Sequence, residues 1–377
     1  MRVLLATRVF WPNLGGIERH VQWLAENLTK LGHTADIVTL DRAFEDGRSL
    51  PPYDRMVHPH GGSSHVWRVP FAGSTRYPIA PRVAQFVSRY DVVHVHAVDF
   101  LADWLTLTRR WHQRPVVLST HGGFFHTDFA PRLKKLWFQT MTRRLVQQVD
   151  ALIYTSDQDQ ELFSKLTDRG RLVRTGVALD PWQTLDRAPI PGRFVTVGRV
   201  DRHKGLSHLL RALGAYAAFK DPFTAEIVGP EVVPGLLDQL RAEADALGIG
   251  DRVRFHGKVD EHTMHELVRT AELGLWPAEY ESFGISVVET IAAGLVPVLN
   301  DIRAFRYFHD AGDGARNGGL VDFKNAAAAA EVIRATRRSV NADSSHRARE
   351  VAQRYGWEKV VVEVEDIYRT VIADAAR

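Results

Sequence analysis

The sequence predicts an α/β protein of two doubly wound domains, and three observations lead there. Short apolar runs recur along the chain, each followed by a loop and then by apolar residues at helical spacing, the alternation of a parallel sheet with crossover helices. That alternation starts twice, at Arg2 and again at Arg193, with a proline-bearing stretch of no periodicity at 186–192 between the two. The chain has 377 residues, 45% of them hydrophobic, which is more than one ordinary core holds and enough for two.

Composition narrows the class. The net charge is +3, but residues up to Ile190 carry 24 Lys and Arg against 18 Asp and Glu, while the remainder carries 24 against 27. The positive excess of the first half fits an anionic partner, a membrane surface or lipid phosphate, or else plain solvated surface charge; nothing reads as a nucleic-acid-binding module. With no cysteine, disulfides and thiolate metal sites are excluded. No run reaches the roughly 18 apolar residues that span a bilayer, and the apolar opening at 3–6 is too short for a signal-peptide core, so a cytoplasmic location is expected.

The first strand, 2–7, runs into a loop ending in Gly15 and Gly16, then into a helix whose Ile17, Val21, Leu24, Ala25 and Leu28 share a face and which Gly32 closes. The dinucleotide fingerprint G-x-G-x-x-G is missing; a Gly-Gly pair at a helix start lets a phosphate approach the backbone, or is a plain turn. A second strand follows at 35–40, and 45–64, rich in Gly, Pro and His, reads as a loop. Strands at 91–96 and 115–120 are expected to end at the same sheet edge, the second delivering His121 to the place where open α/β sheets bind ligands, though it reads equally as a capping or packing histidine. His94 and His96 share a strand face at metal-compatible spacing, but no third ligand is evident and no metal is assigned. Across 132–145, Leu133, Trp137, Met141 and Arg144 form a stripe flanked by Lys and Arg, which fits either an interfacial membrane helix or a helix packed on the sheet.

The second domain opens with a strand at 194–197 that leads into Gly198, Arg199 and, after a turn, Lys204 and Gly205, before a helix carrying Leu206, Leu209, Leu210 and Leu213. A point charge and a planar guanidinium between strand and helix suit a diphosphate. Further strands are expected at 225–228, 253–255, 274–276 and 296–299. The run from Glu281 to Glu289 places Phe283, Gly284 and Ile285 at a helix start whose first amides are unpaired donors, with Glu289 one turn in. Alone, this pair of carboxylates reads as well as two solvated glutamates.

Taken in order, Gly15-Gly16, His121, the stretch from Gly198-Arg199 to Lys204-Gly205, and Glu281 to Glu289 resemble the pattern of the retaining GT-B glycosyltransferases of family 4. The segments 76–81, 120–127 and 137–140 further resemble the bacterial α-mannosyltransferases that extend a cellobiosyl-diphosphopolyprenol in xanthan- or acetan-type exopolysaccharide assembly. The resemblance implies two Rossmann-like domains facing across a cleft: 1–186 binding the acceptor and associating with the membrane, 187–354 binding the nucleotide sugar, and 355–377 a helix packing back toward the first. It implies GDP-mannose as donor, a lipid-linked oligosaccharide as acceptor, no cofactor and no metal. It also implies roles: Gly16 (with Gly15) at the donor phosphate, Arg199 and Lys204 at the diphosphate, Glu281 and the amides of Phe283, Gly284 and Ile285 on the sugar, Glu289 on the ribose, backbone near Val259 at the base, and His121 against the transferred sugar. Where many relatives carry Asn-Gly-Val, this chain has Thr175-Gly176-Val177, so an asparagine role there has no counterpart. Three rival readings remain open: transfer from UDP-glucose or UDP-N-acetylglucosamine, a nucleotide-sugar epimerase needing no acceptor, and a non-catalytic membrane-bound scaffold.

Overall fold

A computed structural model describes residues 1–13, 15–43, 47–74, 77–122, 140, 142–312 and 314–377. The chain divides into two compact units, Met1–Gly176 with Trp357–Arg377, and Val177–Gly356.

The first unit is built on strands β1 (Arg2–Thr7), β2 (Thr34–Leu40), β3 (Tyr53–Val57), β4 (Ser63–Val69), β7 (Val92–His96), β8 (Val116–Ser119), β9 (Ala151–Tyr154) and β10 (Gly170–Leu172), with a separate hairpin of β5 (Ala72–Ser74) and β6 (Tyr77–Ile79). They lie in the order β10-β9-β8-β7-β1-β2-β4-β3, every pair parallel except β3 with β4. Successive side chains of a strand point to opposite faces, so each strand supplies two cores. Leu4, Val93, Val95 and Leu118 face one; Val3, Leu5, Val92 and Val117 face the other. Onto the second face pack helix α1 (Gly16–Lys30), through Val21, Leu24 and Leu28, and the C-terminal helix Trp357–Ala375, through Val360, Val364 and Val371. Each such aliphatic side chain contributes roughly 1.5–3 kcal/mol on burial.

The stretch 45–64, read from sequence as a loop, contains β3 and the start of β4. β3 pairs antiparallel at the sheet edge and alternates exposed with half-buried residues, so it needs few apolar side chains and its composition conceals it.

The second unit comprises β11 (Arg193–Val197), β12 (Thr224–Val228), β13 (Val253–Gly257), β14 (Leu273–Trp276), β15 (Val296–Asn300) and β18 (Gly319–Val321), all parallel in the order β13-β12-β11-β14-β15-β18, with a small hairpin of β16 (Asp310–Gly312) and β17 (Ala315–Arg316). This is the doubly wound order, and its switch point lies between β11 and β14; the first unit has its own between β1 and β7. The strands are buried on both faces by α2 (Leu206–Ala217), α3 (Ile285–Ala292) and their neighbours. The proline-bearing stretch expected to join the domains lies within this unit: Ala188 and Ile190 donate their amides to the carbonyls of Arg269 (3.1 Å) and Thr270 (2.9 Å). Leu179 and Trp182 also join its core, and the chain crosses between units at 176/177 and 356/357.

Most of the basic and aromatic stripe at 132–145, and positions 76, 123–127 and 137–139 of the resembling segments, lie outside the described residues. At the stripe's described end, Leu145 is buried in the core of the first unit. No helix among the described residues is long and apolar enough to cross a membrane.

Candidate active site

Each unit carries candidate site residues at its own switch point. In the second unit, β11 ends at Val197, Gly198 follows, and the chain turns through a 3-10 segment, Arg202–Lys204, into Gly205, which caps α2. Gly205 has φ +65°, and a Cβ there would stand 2.3 Å from the Pro277 carbonyl oxygen. Only glycine lets this turn pass so close to the strand end opposite, and the turn in turn fixes Lys204. The Lys204 ammonium forms an ion pair with Glu281, both side chains about one-fifth exposed or less (17% and 20%). Arg199 is exposed and makes no ion pair among the described residues.

Helix α3 begins at Gly284, φ +102°, where a Cβ would meet the rings of Phe305 and Phe308 at 3.0 and 3.1 Å. The amides of Phe283, Gly284 and Ile285 have no acceptor among the described residues, so the helix start offers free donors beside the Lys204–Glu281 pair. Ser286, to which the sequence reading gave no role, ties this start to the end of β11: its hydroxyl donates to the Val197 carbonyl at 2.9 Å. Glu289 follows within the first turns of α3, half-buried, and Val259 packs half-buried against the same core.

In the first unit, Gly15 caps α1, and the Glu18 carboxylate folds back so closely that a Cβ on Gly15 would fall 2.2 Å from its Oε2. Burial raises the Glu18 pKa, opposed by bonds from the Glu18 and Gly15 amides. A Cβ on Gly16 meets nothing within 4 Å, so space lies open beside that residue.

The adjoining strand ends bring four histidines together. His121 follows β8 in the left-handed region, φ +48°, a conformation that non-glycine residues hold only when their surroundings impose it. The clamp is Asp159, 2% exposed, whose Oδ2 accepts from the Thr120 hydroxyl (2.7 Å), the Thr155 hydroxyl (3.0 Å) and the Gly122 amide (3.1 Å). His121 Nε2 lies 2.9 Å from His96 Nδ1. The His20 ring, from α1, sits edge-on to His121 at 4.8 Å between centroids. His94 is fully engaged: Nδ1 with the Tyr368 hydroxyl at 2.6 Å and Nε2 with the Ser119 hydroxyl at 2.7 Å. Burial lowers the pKa of all four rings, with neighbouring histidines adding to the effect for His20, His94 and His96; His94 falls to about 3 and His121 to about 4. All four are neutral at pH 7. His20, His96 and His121 each offer a nitrogen within 4.8 Å of the other two, a donor set that could hold a metal and that contains no carboxylate. Sequence reasoning missed His20 and Asp159, because each lies far along the chain from His121.

Two units built on parallel sheets, each with a glycine turn into a helix at its switch point, define the GT-B class of architecture. Solved structures share it across the whole chain: a glycosyltransferase from Rickettsia africae (17% identical, 98% of each chain, TM-score 0.75) and sucrose-phosphate synthase from Thermosynechococcus elongatus (19%, 99% of each chain, TM-score 0.70). The family descriptions "Glycosyltransferase Family 4" and "Glycosyl transferases group 1" match residues 14–180 and 188–354. Among curated proteins, the chain is 36% identical to the GDP-mannose:cellobiosyl-diphosphopolyprenol alpha-mannosyltransferase of Xanthomonas campestris over 99% of this chain and 97% of that one. It is 32% identical to the protein of the same name from Komagataeibacter xylinus (100% and 94%), and 30% identical to the phosphatidyl-myo-inositol mannosyltransferase of Mycolicibacterium smegmatis (95% and 90%). The chain belongs to glycosyltransferase family 4 and is a glycosyltransferase.

Proposed function

We propose that this enzyme transfers α-mannose, with retention, from GDP-mannose to a polyprenyl-diphosphate-linked cellobiosyl acceptor in exopolysaccharide synthesis. The observation that carries the reading is full-length similarity above 30% to transferases named for that reaction, together with a cation and free helix amides held beside a carboxylate in the second unit. Relatives named for a different lipid acceptor are mannosyltransferases too, which favours mannose over glucose or N-acetylglucosamine.

The chemistry asks for a site that stabilises a departing nucleoside diphosphate and an oxocarbenium-like sugar. Lys204 and Arg199 supply positive charge to the diphosphate, and the amides of Phe283, Gly284 and Ile285 supply fixed dipoles. Glu281 orients the sugar hydroxyls while keeping Lys204 in place, Glu289 holds the ribose, backbone near Val259 meets the base, and Gly16, after the Gly15 cap, leaves room for the donor phosphate at α1. Retention follows from front-face attack, the leaving phosphate accepting the acceptor's proton; the reading assigns no covalent nucleophile among the described residues. His121 lies against the transferred sugar as a neutral imidazole. The first unit takes the acceptor at an anionic membrane surface on the cytoplasmic face, in keeping with its positive excess. The chemistry assigned to these residues calls for no metal.

The test is transfer of labelled sugar to synthetic cellobiosyl-diphosphoprenol from GDP-mannose, UDP-glucose and UDP-N-acetylglucosamine in parallel. Transfer from GDP-mannose alone is expected. Release of nucleoside diphosphate without the lipid acceptor, with epimerised sugar, would replace the reading with an epimerase.

A further inference from the structure

The contact between His96 and His121 has a direction that the surroundings fix. Both rings are neutral at pH 7, so the 2.9 Å contact needs one donor and one acceptor. If His121 Nε2 donated, the His96 proton would sit on its Nε2, which is buried and has no partner. If His96 Nδ1 donates, that same Nε2 is a bare lone pair. A buried N–H without an acceptor is the rarer defect in folded proteins, so the second arrangement wins. The titratable groups packed around the pair are His20 from α1, His94 from β7, Tyr368 from the C-terminal helix and Asp159 from the helix Asp157–Phe163. Asp159 is spent on the Thr120 and Thr155 hydroxyls and the Gly122 amide, so it holds the backbone of the turn and leaves the ring to His96.

We propose that His96 is a positioning residue: its Nδ1–H donates to His121 Nε2 and locks His121 as the Nδ1–H tautomer, leaving a single outward donor for a hydroxyl of the transferred sugar. The inference rests on the reading of His121 as the imidazole against that sugar.

The experiment uses the full chain labelled with 15N-histidine. Long-range proton–nitrogen correlation at pH 7 reads each tautomer, with His121→Gln and His96→Asn giving the assignments. The proposal expects His121 to carry its proton on Nδ1; the Nε2–H form, or an exchanging mixture, overturns it. Kinetics add a readout that a merely structural role would not move. His96→Leu lowers kcat ~10-fold with donor KM unchanged. His96→Asn, whose amide nitrogen takes the place of Nδ1, restores kcat to within about threefold, and His96→Gln does not. Equal losses in Asn and Leu overturn the lock, as does one equivalent of Zn2+ retained by the purified enzyme and lost in His96→Leu. Full turnover in His121→Ala overturns instead the role of His121 on which the proposal stands, whatever tautomer is found.

Discussion

Replacing Lys204 by alanine removes two things at once. The first is the cation that meets the departing diphosphate; deletion of one preorganised group of this kind costs ~10²–10³ in kcat, roughly 2.7–4 kcal/mol of barrier. The second is the partner of Glu281, whose carboxylate is only 20% exposed and is left without that cation beside the donor site. At an effective dielectric of about 20 and a separation of about 7 Å, that carboxylate repels each diphosphate charge by ~2 kcal/mol. Lys204→Ala should therefore weaken GDP binding, and Glu281→Gln placed on top of it should recover at least about thirtyfold of that affinity without restoring turnover, because the cation is still missing. Calorimetric titration with GDP and steady-state kinetics at saturating GDP-mannose on the two single variants and the double variant form a complete cycle. Turnover of Lys204→Ala within about threefold of the unsubstituted enzyme would refute the reasoning. Additive effects on GDP binding would separate the ion pair from the donor site.

Other substitutions probe the frame around the site. Asp159→Ala leaves three donors without their acceptor and should lower stability by about 2–4 kcal/mol, read as a shift in denaturant midpoint. Gly205→Ala forces a Cβ against the Pro277 carbonyl at positive φ and should cost about 2 kcal/mol or more, with loss of donor binding; an unchanged melting temperature would contradict it. The buried histidines make stability depend on pH. Their folded pKa values lie below the unfolded value, so the unfolded chain takes up protons first and stability falls as pH drops below about 6.5. With His94 at about 3 and His121 at about 4, each should cost on the order of 2 kcal/mol between pH 7 and pH 5. A melting temperature constant over that range would count against the buried cluster.

Much of the fold was legible because parallel strands buried on both faces are continuous apolar runs. The expected strands at 194–197, 225–228 and 296–299 correspond to β11, β12 and β15 within a residue or so at each end. Gly284 was visible for a related reason, since a glycine ahead of an apolar helix marks a turn that tolerates no side chain. What stayed hidden depends on contacts between distant segments. β3 lies at an edge where half its residues face solvent, and nothing in its composition announces a strand. Asp159 looks like one more acid at a helix start until the turn after β8 is folded against it. His20 looks like a polar residue on the face of an amphipathic helix, yet it is 6% exposed and meets His121 and Trp357. The pairing of Lys204 with Glu281, 77 residues apart, was not expected either: sequence gave each a separate task, and the fold makes them one unit.

The central claim is mannosyl transfer with retention to a diphosphate-linked lipid, and its most direct test is the product. Incubation with GDP-mannose and cellobiosyl-diphosphoprenol, followed by NMR of the released trisaccharide, should show one added mannose in the α configuration. A β-linked product, or sugar transferred from UDP-glucose in preference, would contradict the account.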